Sequence, residues 1–316
     1  MNKALLVFST LAILAISGCV QESVTPTGNG MAFTDFSASL DSVQGGNKTA
    51  AIYMEVENRG GTAIKHAMGC LIGSNFNGSY GQGLWEISTG KLCQNNTKNL
   101  TQFDPVNNIP GGALKPRWYL KSPCLAETLT RTDTFTGRVF YDYDTTASTS
   151  AWVYTATELT AAKQRGESIP SSLVVDSTTG PVAISLEAVQ PVRAEDGSFT
   201  LKITISNVGE GVVFDSSVIP DWKATDTMPN IAEEKINTFS AVITLPSGVT
   251  STECSSELTN IELRKGQSVT KSCDITIPAV TAKKSYPITV KASYGYYIDD
   301  TLSITASGKK NDLACK

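Results

Sequence analysis

Few residues in this chain have the type and spacing to do chemistry. His66 is the sole histidine among 316 residues, so any imidazole-dependent catalysis must run through it, and a Ser-His-Asp site would need it beside a serine and an acid. Its setting, Ile64-Lys65-His66-Ala67-Met68, reads as a surface strand after a turn. No G-x-S-x-G elbow, H-E-x-x-H pair or phosphate loop accompanies it. Carboxylates offer a second route. Asp142 and Asp144 flank Tyr143, and Asp299 and Asp300 follow Tyr297 and Ile298. Paired acids can serve a glycosidase or bind calcium. Their spacing lacks the density of a calcium loop, so hairpin-turn acids facing water are expected. The third group is aromatic. Trp85, Trp118 and Tyr119, with Phe103, fall in an irregular stretch where exposed rings could stack on sugars or dock proteins. More often such rings fill the core of a long insert, and Trp118-Tyr119-Leu120 could equally be a short strand. The expectation is no catalysis, no metal and no cofactor.

The N-terminus bounds where these residues work. Lys3 precedes an apolar run of 13 residues, Ala4 to Ile16. A bilayer-spanning helix takes about 20 residues, whereas a secretion signal needs only such a short run. The run ends Ile16-Ser17-Gly18-Cys19, which resembles the lipobox of lipoprotein signal peptides. That resemblance implies removal of residues 1–18 and a lipid on Cys19, whose thiolate is the nucleophile for alkylation. It places the chain on the cell surface, at the outer face of the cytoplasmic membrane. An ordinary signal peptide cut nearby would leave Cys19 a free thiol. A pilin-like signal would need a charged cleavage site and a longer apolar helix.

Export changes how the rest reads. Losing residues 1–18 removes one lysine and no acid, so the formal charge moves from −4 to −5. That argues against a nucleic-acid partner, which favours a basic face. Setting Cys19 aside leaves Cys70, Cys93, Cys124, Cys254, Cys273 and Cys315. An even number in an exported chain indicates disulfides. Cys254 and Cys273 are isolated in the C-terminal half and are expected to pair. Cys70 is expected with Cys93, and Cys124 must then find Cys315 or stay free. With no C-x₂-C spacing and one histidine, zinc is not expected. Asn47, Asn77, Asn95 and Asn99 each begin an N-x-[ST] sequon. Their clustering implies a glycosylated, solvent-facing flank, and beside a lipobox it leans toward an archaeal source.

The elements that must position these residues are strands. Leu201, Ile203 and Ile205 alternate with Lys202, Thr204 and Ser206, the pattern of a half-buried strand. Ile52, Met54 and Val56 alternate in the same way, as do Ile288, Val290, Ala292 and Tyr294, and Leu302, Ile304 and Ala306. Turn clusters at Gly60-Gly61, Asp196-Gly197 and Lys265-Gly266 separate the runs. The chain also repeats itself. Asn58/Gly60 is matched by Asn207/Gly209, and Tyr141-Asp142-Tyr143 by Tyr294-Gly295-Tyr296. The spacings, 83 and 87 positions, are nearly equal. Each tyrosine segment is expected to be followed by a second strand, Ala151–Ala156 or Thr301–Ala306.

The expected fold is therefore all-β, with two tandem immunoglobulin-like antiparallel β-sandwiches. Residues 19–30 form a tether, 31–156 the first sandwich with an irregular insert over about 70–124, and 181–308 the second. Between them, 157–180 reads as a short helix (Thr157–Arg165, with Gly166 as its cap) and a linker, and 309–316 is a tail. The Asn-x-Gly signature resembles adhesion modules of the CARDB type, archaeal and bacterial immunoglobulin-like surface domains that close with an alternating hairpin. That resemblance implies a lipid-anchored surface protein that binds an unknown protein or glycan, with possible self-association. Two other readings stand beside it: a subunit of a surface layer or filament, and an accessory subunit of an exported enzyme or transporter.

Overall fold

The computed structural model describes residues 30–44, 48–73, 84–89, 91–218 and 228–308. The segment 1–29, with Cys19, and also Asn47, Asn77 and 309–316, with Cys315, lie outside the described residues. The chain is an all-β sandwich whose sheets are mainly antiparallel, without a barrel. The strands of the first half are β1 (Met31–Ala38), β2 (Ser42–Gln44), β3 (Thr49–Asn58), β4 (Ala67–Gly73), β5 (Glu86–Thr89), β6 (Cys93–Asn95), β7 (Ala113–Leu114), β8 (Arg117–Lys121) and β9 (Thr130–Tyr154). Helix α1 (Ala156–Gln164) leads to β10 (Val175–Ser177), β11 (Val182–Glu187), β12 (Val192–Arg193), β13 (Ser198–Asn207), β14 (Val212–Phe214) and β15 (Thr238–Thr244). The one-turn helix α2 (Cys254–Glu257) precedes β16 (Ile261–Glu262), β17 (Ser268–Thr276) and β18 (Lys284–Ser307). The stretch expected to be an irregular insert thus holds short strands, β5 to β8. Helix α1 sits within a residue of its expected place: Thr155 Oγ1 accepts from the Glu158 amide, and Gly166 takes a φ of +70° beyond its end.

Two strands dominate. β9 has 25 residues and β18 has 24, against a usual length of about 5–6. The expected closing hairpins are absent, because each tyrosine segment and the strand after it are one continuous strand. Nothing local breaks β9: from Arg138 to Tyr154 it has neither glycine nor proline. Its odd-numbered side chains stay on one face throughout, including Phe135, Val139, Tyr141, Tyr143, Ala147, Ala151 and Val153, all buried. An unbroken period of two over this length requires one sheet surface beneath a continuous core.

The partner of β9 is β18. They pair antiparallel without interruption from Thr130↔Ser307 to Val153↔Lys284, with Asp142 opposite Gly295 at the centre. At the usual rise this ladder is about 80 Å long. The two matched tyrosine segments therefore face each other, related by an approximate two-fold axis through the Asp142–Gly295 pair. Flanking strands obey the same axis. β4 pairs with β9, while β14 and β15 pair with β18. β2 pairs parallel with the end of β18, and β12 pairs parallel with the end of β9. Each half thus lends the end of its long strand to the other half.

Two smaller sheets cover the large one, ordered β1-β3-β8-β5 and β11-β13-β17. One buried cluster runs through both layers, from Ile52, Trp118 and Phe135 to Ile203, Tyr286 and Ile288. The turns between layers repeat in detail. The Asn58 side chain accepts from the Gly60 amide and donates to the Thr62 and Thr101 carbonyls. Asn207 accepts from the Gly209 amide and donates to the Gly211 and Gly266 carbonyls. Asparagine suits this work because one short side chain offers both acceptor and donors.

Glycine is required at 295. A Cβ there would collide with the Phe214 ring packed against it. Gly295→Ala is expected to cost about 1–3 kcal/mol and to lower the stability of both halves in one unfolding transition, followed by circular dichroism during urea denaturation. Two separated transitions would show that the ladder does not couple the halves. Asn58→Ala is expected to cost a further loss of about 1–3 kcal/mol, because it strands buried carbonyls.

Candidate functional site

The structure sorts the residues singled out above. Trp85 and Trp118 are fully buried, which bears out their reading as core of the insert and corrects the alternative role as binding aromatics. Trp85 Nε1 donates to Asp133 Oδ2 at 2.7 Å, and its ring meets Phe135 edge-on. Trp118 Nε1 donates to the Lys91 carbonyl at 3.0 Å. Each indole satisfies its polar group inside the core, so neither offers a free face to a ligand. Tyr119, pointing outward from β8, is 39% exposed. Cys70 is bonded to Cys93, joining β4 to β6, and Cys254 to Cys273, joining α2 to β17. Cys124 is disulfide-bonded as well. Asn95, at the end of β6, and Asn99, in the following loop, are exposed.

His66 and Asp142 are brought together, although 76 positions separate them. His66 Nδ1 lies 2.8 Å from Asp142 Oδ2. The other carboxylate oxygen accepts from the backbone amides of Lys65 and His66, both at 3.0 Å. His66 sits just before β4, and Asp142 lies mid-strand in β9 rather than in a hairpin turn. The strand pairing of β4 with β9 fixes one against the other. Asp144, two residues on and so on the same face, accepts from Ser293 Oγ at 2.6 Å and lies 2.8 Å from Lys291 Nζ. A carboxylate that orients an imidazole is the arrangement of a general base. Among the described residues, however, the ring's bonded partner is Asp142 and the nearby Ser293 hydroxyl is directed to Asp144. Among those residues, no group of three or more His, Cys, Asp or Glu is placed to hold a metal.

Behind this pair lies a buried square of tyrosines, two from each long strand. Ring centroids are 6.3 Å apart for Tyr141–Tyr143, 5.6 Å for Tyr141–Tyr296, 6.0 Å for Tyr143–Tyr294 and 6.4 Å for Tyr294–Tyr296. Two of the hydroxyls tie the ladder to the crossing turns. Tyr143 accepts from the Thr62 amide and donates to the Thr179 carbonyl at 2.6 Å. Tyr296 accepts from the Gly211 amide and donates to Asn207 Oδ1 at 2.8 Å. Thr62 and Gly211 hold the same place in the two repeats, four residues after each asparagine. Burial pushes Tyr143 and Tyr296 up to about 12, and Tyr141 and Tyr294 well above the usual phenol range.

Two open clefts flank His66. The first, about 310 Å³, is lined by Lys65, His66, Met68, Asn95, Asn96 and Lys98, among others. The second, about 260 Å³, takes Lys65, His66, Asp142 and Asp144 from the first half, and Ser216 and Ser293 from the second. Lys65 and His66 line both. His66 was visible in the sequence only as a lone histidine, because its partner is reached through strand pairing. The one sequence signal near Asp142 was the repeated tyrosine segment around it.

No protein-family model matches the chain. No curated protein is found to be similar to it. Among solved structures, Escherichia coli alpha-2-macroglobulin activated by porcine elastase aligns with 9% identity and a TM-score of 0.15. The alignment covers 88% of this chain and 32% of that one, so this chain spans about a third of its length. A score so low carries no argument about fold or function.

The tyrosine square makes stability depend on alkaline pH. In the unfolded chain these phenols ionise near 10, while in the folded chain two of them hold their protons to about 12 and the other two further still. Their contribution is fully present below about pH 10 and is lost as pH rises toward 12, at about 1.4 kcal/mol for each unit of separation per group. Thermal melts between pH 8 and 12 should show a steep loss above 10, with phenolate absorbance from the square rising only as the fold is lost.

Proposed function

We propose that this chain is an exported, non-catalytic binding protein of the cell surface, tethered by lipid on Cys19 to the outer face of the cytoplasmic membrane. The observation that carries the binding reading is the pair of open clefts around His66. The walls of the second come from both halves, so its shape depends on the whole ladder being formed. A ligand there meets a surface built by two covalently connected halves that share strands. Such a surface pays little ordering entropy when it binds. The disulfides of the described residues suit the oxidising compartment that export implies. Among those residues no helix is long and apolar enough to cross a membrane, and in this reading attachment rests on the lipid. The sequons at Asn95 and Asn99, exposed at the rim of the first cleft, support a face turned to the outside. The ligand class at this level is a protein or a glycan of the envelope or its surroundings.

Fractionation of cells carrying the full chain tests the anchor. The wild type should sediment with membranes, and Cys19→Ser should appear in the soluble fraction or medium. A variant that stays with membranes would remove the lipid anchor from the proposal.

A further inference from the structure

We propose that the first cleft beside His66 is a binding site for an acidic saccharide, one carrying carboxylate groups. The inference rests on the surface-binding reading and names its ligand. The lining contains Lys65, His66, Lys98, three asparagines and Thr97, and no carboxylate. This departs from the chain as a whole, which is net acidic. Lys65 and Lys98 form no ion pair among the described residues, and both line this one cleft. Two lysines lining one cleft that has no carboxylate of its own leave a positive potential there, which an anion would neutralise. The nearest acid, Asp142, is already engaged by His66 Nδ1 and by two backbone amides.

The walls are braced rather than loose. Asn96 Oδ1 accepts from the Ala67 amide at 2.8 Å, and Asn96 Nδ2 donates to the Lys65 carbonyl at 3.0 Å and the Lys98 carbonyl at 2.8 Å. One side chain thus ties together the backbone of both lysines. The Cys70–Cys93 bond fastens β6, from which this loop departs, to β4. Pre-positioned charges lose less on binding than free side chains do. A cleft of about 310 Å³ has the volume of a small-ligand pocket. The Thr97 hydroxyl supplies a partner of the kind that sugar hydroxyls require. A bare inorganic anion would use the lysines alone.

Calorimetry on the full chain, made in a host that leaves Asn95 and Asn99 unmodified, tests this with three probes. They are an oligogalacturonate trisaccharide, its fully methyl-esterified counterpart and inorganic sulfate. The acidic trisaccharide should bind, the ester at least 10-fold more weakly, and affinity should fall as salt screens the exposed charges. Lys65→Gln/Lys98→Gln should lose at least 10-fold while its near-ultraviolet circular dichroism stays that of the wild type, and Lys163→Gln, on α1, should change nothing. As the sole histidine, His66 gives one set of ring resonances, which should shift on binding. Equal binding of the ester would overturn the charge argument and leave the surface-binding reading standing. Sulfate binding as tightly as the trisaccharide would overturn the saccharide assignment. Absence of binding by all three, with a glycan or protein ligand found elsewhere on the surface, would remove this cleft alone.

Discussion

The ladder between β9 and β18 is the contact on which the rest of this structure depends. A usual strand makes a handful of pairs, whereas here pairing runs unbroken from Thr130↔Ser307 to Val153↔Lys284. Each covering sheet lies over strand ends from both halves, so neither half completes its core without the other. The cost of closing such a long loop is entropic and grows only slowly with its length. The return is spread over two cores at once, because Phe135 and Ile304 fill one end and Ile288 and Val153 the other.

The centre of that ladder is where polar groups are brought inside. Four tyrosine rings meet around the Asp142–Gly295 pair, and the hydroxyls of Tyr143 and Tyr296 reach the turns that carry the chain between layers. A buried hydroxyl without a partner is costly, so Tyr143 and Tyr296 fix the position of Thr62 and Gly211 as much as those amides fix them. The repeated asparagines complete the same network from the turn side. On the reverse face of the same strand, Asp142 holds His66 and Asp144 holds Ser293, since successive side chains of a strand point to opposite sides. The buried tyrosine square and the exposed cleft are thus two faces of one segment.

That arrangement explains why the lone histidine is more than a surface residue. Its ring is oriented by a carboxylate that is itself fixed by two backbone amides, and it lines both a cleft that holds Asp142 and Asp144 and one that holds lysines and amides. The placement is geometric: β4 pairs with β9, and the loop after β6 is stapled back by a disulfide and by Asn96.

Much of the architecture was legible in the residues themselves. Alternation at Leu201–Ile205 and Ile52–Val56 marked strands, Asn58-x-Gly60 and Asn207-x-Gly209 marked equivalent turns, and the run Thr157–Arg165 with Gly166 after it marked a helix. The Cys254–Cys273 pair also followed from its isolation in the C-terminal half, whereas position left Cys70–Cys93 as one choice among three cysteines. These features are set by neighbours a few positions away, or by a count. What faced what was not legible. Period-two alternation says that Tyr141 and Tyr143 share a face, but it is silent about the strand that lies beside them. The burial of Trp85 and Trp118 and the meeting of His66 with Asp142 likewise follow from pairings between segments far apart in sequence. Local chemistry determined the kind of element at each position. Only the tertiary structure decided that the two long strands cross between halves, because the energy that chooses a strand's partner comes from the core it closes and not from the strand itself.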